Sequence, residues 1–443
     1  MSASSVYSSF TLHPSLAVFS QDGKRGVYSS DDIEENTVLA KIPLSATLSK
    51  TQLLSHPLFS SLSSFLSPTG PSSLSTDDLL AVAIHLCRTT ALLDTISFNP
   101  FAKLFPRTYK SPIFFAPGSL SYDALRGTSL LRTTQVLQGQ IQQDHERLNS
   151  LLKQYNSLHE EPHFPVDEDF PLECYVHSLF SVYSRGADVN FGGGDGEEVV
   201  NRERMIVPFL DMFNHSSESE VHYKYSADSS DIYIYSGASP IKAGAEVHLN
   251  YGPVPNSKLL LFYGFSIQDN KEDFVDIYVP LQEGVPGREE KAKLLQETFP
   301  GFIPNAPFQL KSDGSLPCSL LSLLRVLPLP PSSLPSDVMV PISAESEASA
   351  LSALEAALES MSQNVAISLL EVAGRIEDRE GVEEEKEDYE FARIYAESEL
   401  QILSTTLGVV REAKEKETGG KQEEVQVEVQ VEMVKEGAME SVD

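Results

Sequence analysis

The 443-residue sequence predicts an α+β protein: a β-rich part interrupted by a helical insertion, followed by an all-α C-terminal domain. Three observations carry that expectation. Short alternating apolar runs occur over Leu16 to Pro43 and again from Met205 to Tyr251. Between them lies a stretch with helical periodicity. Beyond about Asp276, apolar residues recur at helical spacing over long spans.

The run LAVF, the turn signal QDGKRG and the segment VYSS read as short strands; TVLAKIP is a further strand closed by Pro43. From Ser45 to about Pro165 the pattern is helical. DDLLAVAIHLCRTTALL opens with Asp77 and Asp78, which suit the positive end of a helix dipole. PFAKLFPRTYKSPIFFAPGSL is broken by Pro100, Pro106, Pro112 and Pro117, and reads as loop and short turns. Leu137, Ile141, Leu148, Leu152 and Tyr155 predict a helix over about 130–158. A second helix starts near Leu172 with Val176, Leu179, Phe180 and Tyr183 on one face. It ends at SRG, where Gly186 is expected in a left-handed cap.

Residues 186–204 contain GGGDGEE and read as a surface loop. No Gly-Lys-Ser/Thr follows and the segment is acidic, which argues against a phosphate loop. Met205 to Leu210 reads as a buried strand, and VHYKY with DIYIYS as a hairpin around SADSSD. EVHLNY is a further alternating strand, and KLLLFYGF a short helix or turn packed inward.

In the C-terminal part, DIYVPL is strand-like and GREEKAKLLQETF helical. After the connector LPLPPSSLPSDVMVP, a long helix carries Leu351, Leu354, Leu358, Met361, Val365, Leu369, Val372 and Ile376 in one stripe. EDREGVEEEKEDYE reads as an acidic turn. A last helix over about 388–411 turns Ala392, Tyr395, Ile402, Leu403 and Val410 inward. The expected domains are 1–275 (with the insertion over about 45–165), 276–412, and an acidic tail over 413–443 expected to be disordered.

The formal charge of −31 disfavours nucleic acid and favours basic, Lys-containing protein partners. Cys87, Cys174 and Cys318 form no CxxC pair and no zinc spacing, so no metal site is expected and a reducing compartment fits. No apolar run reaches the roughly 18 residues of a membrane span. The N-terminal segment lacks the basic-then-apolar pattern of a signal peptide. The expectation is a cytoplasmic or nuclear monomer, with a plastid left open.

Two stretches carry candidate chemistry. Asp211-Met212-Phe213-Asn214-His215 sets three polar side chains after a buried run. There each needs partners, because a buried unsatisfied polar group costs about 1–3 kcal/mol. Either an Asx turn that ties the chain or a ligand-gripping turn satisfies that requirement. Tyr251, in NYGP, sits where a strand ends; it is either a buried structural tyrosine or a donor that orients a reactant. Tyr263 and Phe265 offer aromatic walls or ordinary core. No GxSxG occurs and no cysteine has a histidine at motif spacing, so covalent catalysis lacks support.

VPFLDMFNHS followed by GAEVHLNYGPVPNSKLLLFYGF resembles the SET domain of the Rubisco large-subunit methyltransferase-like group. That group also contains the actin-histidine methyltransferase and related non-histone lysine methyltransferases. GVYSSDDIEENTVLAKIP resembles the N-terminal SET segment, PFAKLFPRTYKSPIFF and LRGTSLL the helical insert, and SVYSRG the Ser-Arg motif before the pseudoknot. FARIYAESELQILSTTL resembles the end of the substrate-binding domain. The resemblance spans roughly Leu16 to Val410.

The resemblance implies a β-rich SET fold with a pseudoknot and an all-α Rubisco methyltransferase-type substrate-binding domain. It implies S-adenosylmethionine as cofactor and a protein substrate, with lysine N-methylation as the expected activity. Histidine methylation on the same fold and a non-catalytic protein-binding SET scaffold are the alternatives. Asn214 and His215 would bind the cofactor, with Asp211 supporting their turn and Ser184 near its amino-acid end. Gly26 and Val27 would approach it through backbone groups. Tyr251 would be the catalytic-site tyrosine, also beside the cofactor, and Tyr263 and Phe265 would line the substrate channel. Arg185 would tie the site together at that channel. Two departures stand out: Lys24-Arg25-Gly26 keeps only the second glycine of a Gly-x-Gly, and the Gly-rich loop before Met205 is an insertion.

Overall fold

The computed structural model describes residues 10–21, 24–66, 74–94, 98–160, 163–191, 201–377 and 386–418. The chain divides into two compact units, Met1–Tyr109 with Leu137–Pro253, and Lys110–Val136 with Val254–Asp443. The domain limits read from the sequence remain a proposal beside this division by packing.

The first unit carries β1 (Thr11–Leu12), β2 (Leu16–Gln21), β3 (Lys24–Ser29), β4 (Val38–Pro43), β5 (Leu48–Ser49), β6 (Gly186–Asn190), β7 (Arg202–Ile206), β8 (His222–Ser226), β9 (Asp231–Tyr235) and β10 (Glu246–Val247). They form three small antiparallel sheets, ordered β1-β4-β9-β8, β10-β3-β2 and β5-β7-β6. Strand alternation decides which face is inward. In β9, Ile232 and Ile234 are fully buried, whereas Tyr233 and Tyr235 turn to the other face. Ile232 and Ile234 join Val27, Leu39, Ile42, Met205, Val207, Phe209 and Val247 in one core, with Tyr251 packed against it.

The helix Thr76–Thr89 starts where Asp77 and Asp78 predict, and Ser75 with Asp78 forms a capping box. The helix Leu172–Arg185 also matches its expected start. Its end does not. Gly186 has φ −70° and ψ 134°, so the chain passes straight into β6 without a left-handed cap. Glycine is required there for space: a Cβ would lie 2.7 Å from the Val182 carbonyl oxygen and 3.0 Å from Arg204 Nε. Two helices, Lys50–Leu54 and Pro57–Phe65, fall in the stretch read as helical from Ser45, though their individual bounds were not read from the sequence. The Ser49 side chain caps the first, and Pro57 starts the second.

The buried run after Met205 is strand only to Ile206. Pro208 cannot donate to a ladder. Phe209 then turns the chain at φ 71° into the short 3-10 helix Leu210–Met212. Likewise only Glu246–Val247 of EVHLNY pairs as a ladder with β3. Leu249 instead forms a parallel bridge with His215.

The second unit is helical, with one two-stranded antiparallel ladder of β11 (Phe274–Ile277) and β12 (Phe308–Lys311). Its helices include Arg288–Thr298, Cys318–Val326, Ala344–Glu377 and Lys386–Thr418. The last runs past the expected end at Arg411. Leu351, Leu354, Leu358, Val365 and Leu369 share a core with Ile402, Leu403 and Val410, as their spacing predicts, and with Ala396. GGGDGEE, the centre of the acidic turn and residues 419–443 lie outside the described residues. The helix Ser129–Leu158 begins in the second unit, where the buried Glu399 carboxylate accepts from the Ser129 backbone N–H at 2.8 Å.

Candidate functional site

The sheet β10-β3-β2 and the turn after Met205 bring the first group of predicted residues together in the first unit. Leu249 N–H donates to the Asn214 carbonyl at 2.9 Å, and Ser216 N–H donates to the Leu249 carbonyl at 3.2 Å. Two segments far apart in sequence therefore run side by side at His215 and Leu249. Asn214 Nδ2 donates to the Arg25 carbonyl and to Glu246 Oε1, each at 2.7 Å.

His215 Nδ1 accepts from the Tyr251 N–H at 3.1 Å, which assigns the proton of the neutral ring to Nε2. The two rings lie 4.9 Å apart. Burial holds the His215 imidazole below its ordinary range; a hydrogen bond with the Leu249 backbone opposes this, and nearby His248 adds to it. The Tyr251 hydroxyl donates to the Phe213 carbonyl at 2.7 Å. Its oxygen therefore retains only acceptor capacity.

Asp211 and Arg185 meet beneath this turn. Arg185 Nη1 lies 2.6 Å from Asp211 Oδ2, and their side chains are 8% and 2% exposed. Burial disfavours the Arg185 charge, but Asp211 more than restores it, so the guanidinium titrates above its ordinary range. The guanidinium also sits 5.2 Å from the Phe105 ring centre. This pair fixes the end of the helix Leu172–Arg185 to the strained turn at Phe209. Ser184 is on the same helical turn, but its hydroxyl donates to the Phe180 carbonyl at 2.6 Å. Only its oxygen lone pairs remain for a ligand.

Gly26 and Val27 lie in β3, paired with Phe19 and Val18 of β2. Val27 is fully buried, so only its backbone is available to a ligand. Tyr263 and Phe265 belong to the second unit. Tyr263 ends a π-helical turn, Leu259–Tyr263, and Gly264 follows with φ 80°. A Cβ on Gly264 would lie 1.9 Å from the Lys110 carbonyl oxygen, so residue 264 must be glycine both for conformation and for space. The Tyr263 and Phe265 ring centres are 6.5 Å apart, as are those of Phe265 and Phe391.

Sequence reasoning missed Glu246, the Arg25 carbonyl and Phe105. Glu246 stands in an alternating strand like any solvent-facing residue, and only the register opposite Tyr28 places it beside Asn214. It also missed Asn256 and Asp273 in the second unit, where Asn256 N–H donates to Asp273 Oδ1 at 2.6 Å and Asn256 Nδ2 to Asp273 Oδ2 at 2.7 Å. Asn256 is fully buried there, and its contacts anchor the turn that leads to Tyr263.

A solved structure of the SET domain of LSMT bound to lysine and AdoHcy superposes on this chain with a TM-score of 0.73 at 16% identity, covering 99% of each chain. A structure of Rubisco LSMT bound to AdoMet gives a TM-score of 0.70 at 17% identity, covering 96% of this chain and 94% of that one. The chain has the SET fold. Its expected pseudoknot corresponds to the pairing of Asn214–Ser216 with Leu249.

Sequence relatives agree with a SET fold. A ribosomal lysine N-methyltransferase of Schizosaccharomyces pombe is 25% identical over 214 residues, 47% of this chain and 35% of that protein. The actin-histidine N-methyltransferases of Danio rerio and Homo sapiens are 24% and 23% identical over 232 and 252 residues. The chain spans 36% and 39% of those two proteins, little more than a third of each relative. No family model matches the chain.

Proposed function

We propose that the chain is an S-adenosylmethionine-dependent protein methyltransferase whose target is a lysine side chain. The observation that carries this reading is the presence on a SET fold of Asn214, bonded to Arg25 and Glu246, beside His215 and Tyr251, which bond to each other and to Phe213. A scaffold kept only for protein binding has no need of all three. The lysine reading is supported by the solved structure that shares this fold with lysine and AdoHcy bound, and by the ribosomal lysine relative. Histidine is the second reading, because the actin-histidine enzymes match a longer stretch of the chain.

The residues fit the cofactor. Asn214 presents an acceptor on an exposed side chain, and β3 presents backbone groups at Gly26 and Val27. Bound there, S-adenosylmethionine would supply an electrophilic methyl group on a sulfonium. The protein's part is alignment, which is worth about 7–11 kcal/mol in well-oriented reactions. The Tyr251 oxygen, its proton committed to Phe213, would accept weak C–H contacts that steer the transferring methyl. Tyr263 and Phe265 would surround the target amine with apolar rings and favour its neutral, nucleophilic form. The nitrogen would take the methyl in line as the methyl's bond to the sulfonium sulfur breaks, leaving a neutral thioether, and the surplus proton of the methylated amine would pass to solvent.

Incubating a cell extract with labelled S-adenosylmethionine, with and without the protein, tests this directly. Label on a lysine of a protein band present only with the enzyme is the expected result. Label on histidine would replace the lysine reading. No transfer to any protein would overturn the activity.

A further inference from the structure

We propose that Glu246 is a positioning residue for ligand capture: its carboxylate sets the orientation of the Asn214 amide, which in turn meets the cofactor. This inference rests on the cofactor reading above and adds a residue to it.

The Asn214 amino group faces two groups that can only accept, the Arg25 carbonyl and Glu246 Oε1, each at 2.7 Å. That pairing fixes which end of the amide points where. Both amide hydrogens are committed, and the Oδ1 carbonyl is turned away from these partners. Asn214 therefore offers a ligand an acceptor and no donor. The side chain is exposed, so packing does little to hold it. Without the carboxylate, one bond to Arg25 would remain, and rotation of the amide would no longer cost a charge-assisted bond.

Glu246 is itself well placed for this task. Its backbone pairs with Tyr28 across β10 and β3. The Tyr28 hydroxyl donates to Oε2 at 3.4 Å, and His248 Nε2 lies 3.5 Å from the same oxygen. The other oxygen lies over Gly26, where a Cβ would come within 2.4 Å of it. A side chain at position 26 would therefore displace this carboxylate from its place beside Asn214. Glu246, Asn214 and Gly26 meet at one oxygen, Glu246 Oε1.

The test compares wild type, E246A, E246Q, N214A and E246A/N214A. Affinity for S-adenosylhomocysteine is read by calorimetry, and stability by thermal melting. E246A should weaken binding by about tenfold or more, the scale of a lost charge-assisted hydrogen bond. E246Q keeps an acceptor at the same place and should stay within roughly threefold of wild type. E246A/N214A should bind no more weakly than N214A, because Glu246 acts through Asn214. Undiminished binding by E246A, equal losses in E246Q and E246A, or losses that multiply in the double variant would each overturn the proposal. A wild type that binds no S-adenosylhomocysteine would overturn the cofactor reading instead. In that case the melting cycle still decides on the Glu246–Asn214 bond, and zero coupling would remove it.

Discussion

Tyr251 does two things. Its backbone N–H holds the His215 tautomer and its side-chain hydroxyl ties down the Phe213 carbonyl, so the residue is part of the turn it serves. Tyr251→Phe removes only the hydroxyl. We expect S-adenosylhomocysteine affinity within about tenfold of wild type, since one neutral hydrogen bond contributes only about 0.5–1.5 kcal/mol, but a much larger fall in turnover. Unchanged turnover would remove the phenol from the mechanism. His215 makes the site sensitive to acid. Its proton affinity is lowered by burial, so the unfolded chain takes up the proton first, near the ordinary imidazole value of about 6.5. The stabilisation from neutral His215 is complete above that pH and is lost as pH falls below it. Protonation would also convert Nδ1 from the acceptor of the Tyr251 N–H into a donor facing it. Cofactor affinity is a property of the folded state, so it should hold from about pH 8 to 6.5 and decline only further down, where the burial-lowered His215 takes up its proton. In His215→Asn, whose Oδ1 can accept where Nδ1 did, calorimetry should show a smaller decline.

Among the elements, junctions between segments matter more than their interiors. The Arg185–Asp211 pair joins a helix end to the turn at Phe209, and both side chains are nearly sealed from water. Asp211→Ala would leave a buried guanidinium with its carboxylate removed. Melting should show a loss of about 3–5 kcal/mol, the usual result of breaking a buried pair from one side. Gly264 is the corresponding junction of the π-helical turn. Gly264→Ala combines a positive φ with a carbonyl in the space the methyl would need, so a loss above about 1 kcal/mol is expected, together with displacement of Tyr263. Near wild-type melting would show that this turn repacks freely. These junctions are also where sequence reading reached its limit. Helical stripes such as Leu351 to Leu369 and the β8–β9 alternation were legible because period fixes the buried face. Strand register is not periodic in sequence, so Glu246 opposite Tyr28 could not be read. Nor could the end of a buried run, set by Pro208 and Phe209, be separated from a longer strand. At Gly186, a residue that suggested a conformational role turned out to answer a steric one.

For the molecule as a whole, net charge bears on partner choice. A chain of formal charge −31 should draw a basic substrate segment through a field that added salt screens. Raising ionic strength from about 0.05 to 0.5 M should therefore raise KM for a basic protein substrate several-fold and leave S-adenosylhomocysteine affinity nearly constant; an unchanged KM would assign substrate choice to local contacts instead. Among the described residues, no helix is long and apolar enough to cross a membrane. The candidate site was proposed from residue types and the order of two motifs, because Asp-x-x-Asn-His and Asn-Tyr-Gly are local patterns. What joins them is not local. The Asn214 side chain links Arg25, 189 positions earlier, to Glu246, 32 positions later. Contacts between such distant positions form slowly, because a long loop must close before any bond rewards it. The first strands can pair early, yet the candidate site they help to build stays incomplete until a segment near the middle of the chain has arrived. Competence to take a ligand should thus be gained late in refolding, which makes cofactor uptake a reporter of the finished fold and not of its parts.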